Sequence, residues 1–178
     1  PNPTDESNAI GVCYYLTNEY HKQRKILPSM EHAYWGPEFT TKEILDAMNG
    51  KTDSYTIHKG IDHKYIAQKL SNGKTIGICR GRMEFGARAL GNRSILANPS
   101  DSTIVRIINE QIKYRDFWMP FTPSILQERA KDYLINPKKI DSPFMTIGFD
   151  STPLARKELI AAIHPADFTV RPQIVKKE

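Results

Sequence analysis

Apolar residues recur at helical spacing in three places, each framed by its own start and stop signals. Thr40-Thr41-Lys42-Glu43 has the form of a capping box, Ile44, Leu45 and Met48 make an apolar stripe, and Asn49-Gly50 supplies a stop. This pattern predicts a short helix over 41–49. Asp62 can cap a second helix, with Tyr65, Ile66 and Leu70 on one face and Asn72-Gly73 at its end. Ser100-Asp101-Ser102 opens what should be the longest helix, ending near Tyr114, its buried face formed by Ile104, Val105, Ile107, Ile108 and Ile112. The stretch from Ser7 to Asn18 is compatible with a further helix, and the charged run His21 to Lys25 before Pro28 reads as a connector.

Strand-type runs lie between these segments. Lys74-Thr75-Ile76-Gly77-Ile78-Cys79 directly follows the second helix, and Phe121–Leu126 and Pro143–Phe149 read as later strands. Gln127–Leu134 and Arg156–Ile163 read as helices. The order is mixed rather than a strict βα repeat, which predicts an α+β fold with a mixed sheet and flanking helices. No internal repeat or low-complexity tract interrupts it.

Composition narrows the class. With 178 residues and 39% hydrophobic content, the chain can bury one core, or one domain plus part of another. A charged fraction of 25% beside 10% aromatics argues against disorder. No apolar run approaches the roughly 20 residues of a membrane helix, so a membrane is not an expected partner. The chain starts at Pro1, in mid-motif and without a secretory-type leader, which reads as a piece of a longer cytoplasmic protein. Cys13 and Cys79 sit in apolar stretches, and we expect them to be buried structural thiols in a reducing compartment. The 25 Lys and Arg against 20 Asp and Glu leave a net charge of +5, spread along the chain. That suits an anionic small molecule as well as it suits nucleic acid.

Chemistry concentrates in Gly81-Arg82-Met83-Glu84-Phe85-Gly86-Ala87-Arg88-Ala89-Leu90-Gly91-Asn92-Arg93-Ser94-Ile95-Leu96. Glycines let a backbone approach a ligand, and arginines supply forked donors for phosphate or carboxylate oxygens. The loop is equally readable as a tight connector whose arginines pair with Glu84 and Asp101; it has neither phosphate-loop nor dinucleotide fingerprint. In Lys113-Tyr114-Arg115 an extended chain would turn both cations to one face and let them converge on one anion, while the alternative is the ordinary cationic end of a helix. The neighbouring Phe117 and Trp118 read as core rather than as a base-stacking platform. Arg171 stands alone near the end, and Asp5 fits a helix cap better than a metal ligand. The five histidines show no zinc-type spacing.

Five segments, taken in order, resemble the C-terminal part of the O-carbamoyltransferases, the family of nodulation-factor, cephalosporin and aminoglycoside carbamoyltransferases. They are Ala33–Phe39 (AYWGPEF), Gly81–Leu96 (GRMEFGARALGNRSIL), Lys113–Leu126 (KYRDFWMPFTPSIL), Ser142–Met145 (SPFM) and Phe168–Val175 (FTVRPQIV). The resemblance implies that residues 1–30 end an actin-like ATPase-superfold domain that carries carbamoyl transfer. Residues 31–178 would then form most of a YrdC-like domain that makes carbamoyl-adenylate from carbamoyl phosphate and ATP, for transfer to the hydroxyl of a small-molecule acceptor.

By the same resemblance Lys113 and Arg115 are the KxR half of a KxR…SxN signature, with the SxN half expected beyond Glu178, and Arg171 matches an arginine of the family. Arg88, Arg93 and Ser94 are further candidates for the nucleotide or for contacts between domains. Asp5 would help hold a divalent metal, Fe2+, together with histidines upstream of Pro1, while Mg2+ would arrive with ATP. A homodimer is implied, and nucleic acid is not an expected partner. Two departures stand out: Met119 replaces an arginine, weakening the phosphate assignment, and Pro165-Ala166-Asp167-Phe168 suggests a less mobile loop. A threonylcarbamoyl-adenylate synthase shares the domain type, but the 81–96 segment favours O-carbamoyl transfer. The alternative from another class is a non-catalytic nucleotide- or RNA-binding module.

Overall fold

Where a cap residue and a glycine stop coincide, the chain follows its local signals. The computed structural model describes residues 7–20, 28–51 and 55–177, so Asp5 and the connector at His21–Lys25 lie outside the described residues. Helix α1 spans Asn8–Tyr20 and α2 spans Thr41–Met48. The N–H of Glu43 donates to Thr40 Oγ1 at 3.3 Å, and the N–H of Thr40 donates back to Glu43 Oε2 at 2.8 Å, which closes the capping box. Helix α3 (His63–Ser71) begins at Asp62, whose Oδ1 accepts the N–H of Tyr65 at 2.8 Å. Gly73, at φ +75°, turns the chain out of α3 in a conformation that suits glycine. None of these three helices has a buried residue.

Strand β1 (Ile76–Cys79) then pairs antiparallel with β2 (Arg93–Leu96), placing Cys79 opposite Arg93. Helix α4 (Thr103–Ile107) runs directly into a π-helical turn over Ile108–Lys113. Strand β3 is Ser124–Leu126; a 3₁₀ turn over Gln127–Arg129, α5 (Ala130–Tyr133) and β4 (Leu134–Ile135) follow it. The remainder is β5 (Phe149–Ser151), α6 (Pro153–Glu158), a 3₁₀ turn at Ile160–Ala162, β6 (Thr169–Val170) and β7 (Gln173–Val175). Strands β3 and β7 pair in parallel, and β4, β5 and β6 form an antiparallel three-stranded sheet in that order.

The fold is therefore α+β, with three small sheets among the described residues where one mixed sheet was expected. Its main core joins two of them: Ile125 of β3, Leu134, Phe149, Val170 and Ile174 pack with Ala155, Leu159 and Ile163 around α6. A second cluster sets Ile104 and Ile108 against Ala161. The N–H of Ala161 also donates to Pro99 O at 2.9 Å, which fastens the start of α4 to the chain after α6.

Several expectations are corrected. The segment after Ser102 is not the longest helix, since α1 has 13 residues and the α-helical hydrogen-bond register is lost at Ile108. The wider i→i+5 turn shifts the face that follows, and Ile112 is exposed; Ile107, which precedes the turn, is exposed as well, while Ile104 and Ile108 are buried. Pro143–Phe149 is not a strand, because only Phe149 is paired and Met145 takes φ +57°, outside the extended range. The strand expected from Phe121 starts at Ser124. Cys13 and Cys79 are free and exposed, because α1 buries nothing and Cys79 lies on the open face of a two-stranded sheet. No correction applies at 165–168, where Phe168 N–H donates to His164 O and Thr169 N–H to Asp167 Oδ1 in a hydrogen-bonded turn.

Candidate functional site

Between β1 and β2 the course of the chain is set by one carboxylate. Glu84 is buried, and its Oε1 accepts the backbone N–H groups of Leu90 at 2.7 Å, Asn92 at 2.7 Å and Arg93 at 3.1 Å. Burial pushes this carboxyl up, but the converging backbone donors outweigh it and hold the group below its ordinary value. Asp101 is likewise engaged locally, by the N–H and hydroxyl of Thr103. The reading in which arginines pair with Glu84 and Asp101 is thus corrected: short-range backbone donors reach both carboxylates first.

The arginines of this loop divide into two kinds. Arg93 donates from Nη1 to the carbonyls of Arg80 at 2.7 Å and Asn92 at 3.1 Å, and from Nη2 to Gly81 at 3.2 Å. Arg82 donates from Nε to Gly36 O at 3.1 Å and from Nη2 to Trp35 O at 2.9 Å. Both guanidiniums buckle backbone to backbone, and Ser94 Oγ accepts the N–H of Gly91 at 3.0 Å. Arg88 differs. It is half-buried, and its Nε is buried with no hydrogen-bond partner.

Arg171 lies close enough to Arg88 to feel its charge. Burial first, and the Arg88 guanidinium second, lower the affinity of Arg171 for its proton. None of the ion pairs among the described residues involves either side chain. Two half-buried cations close enough to interact, with no ion-pair partner among the described residues, carry donors that can hold an anion with several oxygens.

The segments carrying these arginines are tied together at β7. Gln173 Nε2 donates to Leu90 O at 2.9 Å, and the Tyr34 hydroxyl donates to the same carbonyl at 2.9 Å. Gln173 N–H donates to Pro123 O at 2.9 Å, Ile174 N–H to Ser142 O at 2.8 Å, and Ser142 Oγ to Pro172 O at 3.2 Å. All five motif segments therefore meet around residues 172–174.

Lys113 and Arg115 form a separate group. Lys113 is exposed at the end of the π turn, and Tyr114 is left-handed at φ +48°, so the extended geometry expected here is not adopted. Arg115 is half-buried and held by Asn109: its Nε donates to Oδ1 at 2.6 Å, its N–H to the Asn109 carbonyl at 3.0 Å, and its guanidinium lies 4.7 Å from the Phe121 ring centre. Burial lowers its proton affinity, as burial and then the Arg88 guanidinium lower that of Arg171.

Asn109 is fully buried and uses its Nδ2 to donate to Phe117 O at 3.1 Å and Met119 O at 2.9 Å. Tyr114, Phe117 and Trp118 are 86%, 65% and 56% exposed, so they are not core as expected. The turn pinned by Asn109 points them outward. Sequence reasoning missed the roles of Glu84, Asn109 and Gln173. The available signals were a polar residue beside Ile108 in an apolar stripe and a lone acid among arginines.

Asp5, the one metal-ligand candidate, lies outside the described residues, and no cluster of three or more His, Cys, Asp or Glu side chains occurs among the described ones. No described helix is long and apolar enough to cross a membrane.

A family model described as "Carbamoyltransferase C-terminus" matches residues 67–178, which hold both arginine groups. The chain belongs to this family. Similarity to relatives extends further along the carbamoyltransferase C-terminal chain. Nodulation protein NolO of Bradyrhizobium diazoefficiens is 33% identical over 100% of the chain and 33% of its own length. Uncharacterized protein sll1178 of Synechocystis is 34% identical over 93% of the chain and 27% of its own length. Uncharacterized protein MJ1051 of Methanocaldococcus jannaschii is 38% identical over 84% of the chain and 29% of its own length. The chain thus spans between a quarter and a third of the length of these relatives.

Proposed function

We propose that this chain is the activating part of an ATP-dependent O-carbamoyltransferase. In this reading water cleaves carbamoyl phosphate to carbamate and phosphate, a carbamate oxygen attacks the α-phosphorus of ATP with pyrophosphate leaving, and the acceptor hydroxyl takes the carbamoyl group from carbamoyl-adenylate with AMP leaving. Residues 31–178 would be the YrdC-like domain and residues 1–30 the end of an actin-like transfer domain.

The observation that carries the reading is the Arg88–Arg171 pair, two half-buried cations without a counter-charge inside the segment that matches the family. Adenylation gathers negative charge on phosphate oxygens, and fixed cations in a partly desolvated site stabilise it at small reorganisation cost. Arg115, its Nε held by Asn109, can turn its remaining donors to a phosphate, and Lys113 beside it supplies a mobile point charge. Mg2+ would come with ATP, and Asp5 would help hold the transfer-domain metal.

The test is isothermal titration of ATP with magnesium into the chain and into a Lys113→Ala, Arg115→Ala, Arg171→Ala variant shown by circular dichroism to be folded. Loss of binding in the variant is expected. Binding of equal strength in both would refute the site.

A second reading, a nucleic-acid-binding module, is favoured by the exposed Tyr114, Phe117 and Trp118 beside cations, since exposed rings can stack bases. Affinity for a single-stranded oligonucleotide that falls steeply with salt, with no preference for ATP, would select it.

A further inference from the structure

Resting on the reading of Arg88 and Arg171 as an anion site, we propose that Gln173 is the positioning residue that sets the separation of these two cations. Arg171 and Arg88 belong to chain segments 83 residues apart in sequence, and each lies two residues from one end of the Gln173–Leu90 hydrogen bond. Gln173 and Leu90 are both buried, so water does not compete for the bond.

Each end is itself held. On the Leu90 side, its N–H is taken by Glu84 and its carbonyl also accepts the Tyr34 hydroxyl. On the Gln173 side, its backbone is paired through β7 with β3, its N–H donates to Pro123 O, and its Oε1 accepts the Ser124 hydroxyl at 3.4 Å. Pro172, fully buried, leaves little rotation between Arg171 and Gln173. The amide of Gln173 is thus a strut between two fixed segments, and the arginines stand just outside it. Like charges drive the two guanidiniums apart; the strut opposes that and keeps them within reach of one anion. Gln173 touches no anion itself and acts through the arginines.

The experiment is a double-mutant cycle read by titration of ATP with magnesium into the full chain, using Arg171→Ala and Gln173→Met singly and together. Methionine matches the length of glutamine and removes the donor. Each single change is expected to weaken binding about tenfold, the size of one lost hydrogen bond or less than one charged one. Arg171→Ala is then expected to cost less than about threefold in the Gln173→Met background, because contacting sites are non-additive. A residue that only stabilised the fold would lower the melting temperature and leave the Arg171→Ala factor unchanged.

Equal factors in both backgrounds overturn the positioning role alone. No effect of Arg171→Ala in the native background, or no binding by the native chain, overturns the anion-site reading and this role with it. If Gln173→Met does not fold, Gln173→Asn, which keeps the amide but falls short of the Leu90 carbonyl, completes the same cycle with the same outcomes.

Discussion

Replacing Glu84 tests whether one carboxylate shapes the loop that carries Arg88. Three backbone N–H groups converge on its Oε1 within 3.1 Å. Hydrogen bonds to a charged acceptor contribute about 1.5–3 kcal/mol and neutral ones about 0.5–1.5 kcal/mol. Glu84→Gln keeps an acceptor oxygen and removes the charge, and because the three bonds share one oxygen, we expect a loss of about 2 kcal/mol. Glu84→Ala leaves all three donors without a partner and should cost about 4 kcal/mol. Against a total stability of about 5–15 kcal/mol, that brings the chain close to unfolding.

The pH dependence carries the same signature. The folded carboxyl titrates below its unfolded counterpart, which lies near about 4.3. Its stabilisation is therefore complete above that pH and is lost as pH falls through the lower, folded value. Urea unfolding at pH 7 and stepwise from about pH 5 to about pH 2 should show this loss in the native chain and a flatter profile in Glu84→Gln. Hydrogen exchange at the amides of Leu90, Asn92 and Arg93 should accelerate in both variants. A Glu84→Gln chain with native stability at pH 7, native slope and native exchange would refute the reasoning.

Three further outcomes follow from single contacts. Asn109→Leu, similar in volume but without side-chain hydrogen bonds, should cost about 3 kcal/mol and free Arg115, which urea unfolding and the emission of the nearby Trp118 would report. Gly36→Ala would set a new Cβ 2.8 Å from the Cβ of Met83 and 3.0 Å from its carbonyl oxygen, so a loss of about 1–3 kcal/mol is expected in thermal unfolding. Arg93→Lys keeps the charge but loses the fork that spans the Arg80, Gly81 and Asn92 carbonyls; it should lower the melting temperature and leave ATP affinity unchanged, whereas weaker ATP binding by the folded variant would return Arg93 to the anion site.

Much of the fold was legible wherever the information was local. The capping box at Thr40, the Asp62 cap and the glycine stops at 50 and 73 settled α2 and α3 almost to the residue, since each signal is satisfied within one helical turn. The strand at 76–79 was readable for the same reason, and the 81–96 segment announced itself by its glycines and arginines. Strands β4, β6 and β7 were not readable: with two or three residues each, they are too short to show a period and exist only because distant partners pair with them.

The site divides along the same line. Residue type marked Arg88, Arg115 and Arg171 as anion binders, because a guanidinium has the same donors wherever it stands. Which arginines are engaged by carbonyls and which stand near a like charge without an ion-pair partner was decided by the tertiary structure alone. Glu84 accepts three backbone N–H groups, Tyr114 takes a left-handed conformation between Lys113 and Arg115, and Gln173 bridges to a carbonyl 83 residues away. Those outcomes depend on which groups meet after the chain has closed on itself, and no local pattern encodes a meeting between segments so far apart.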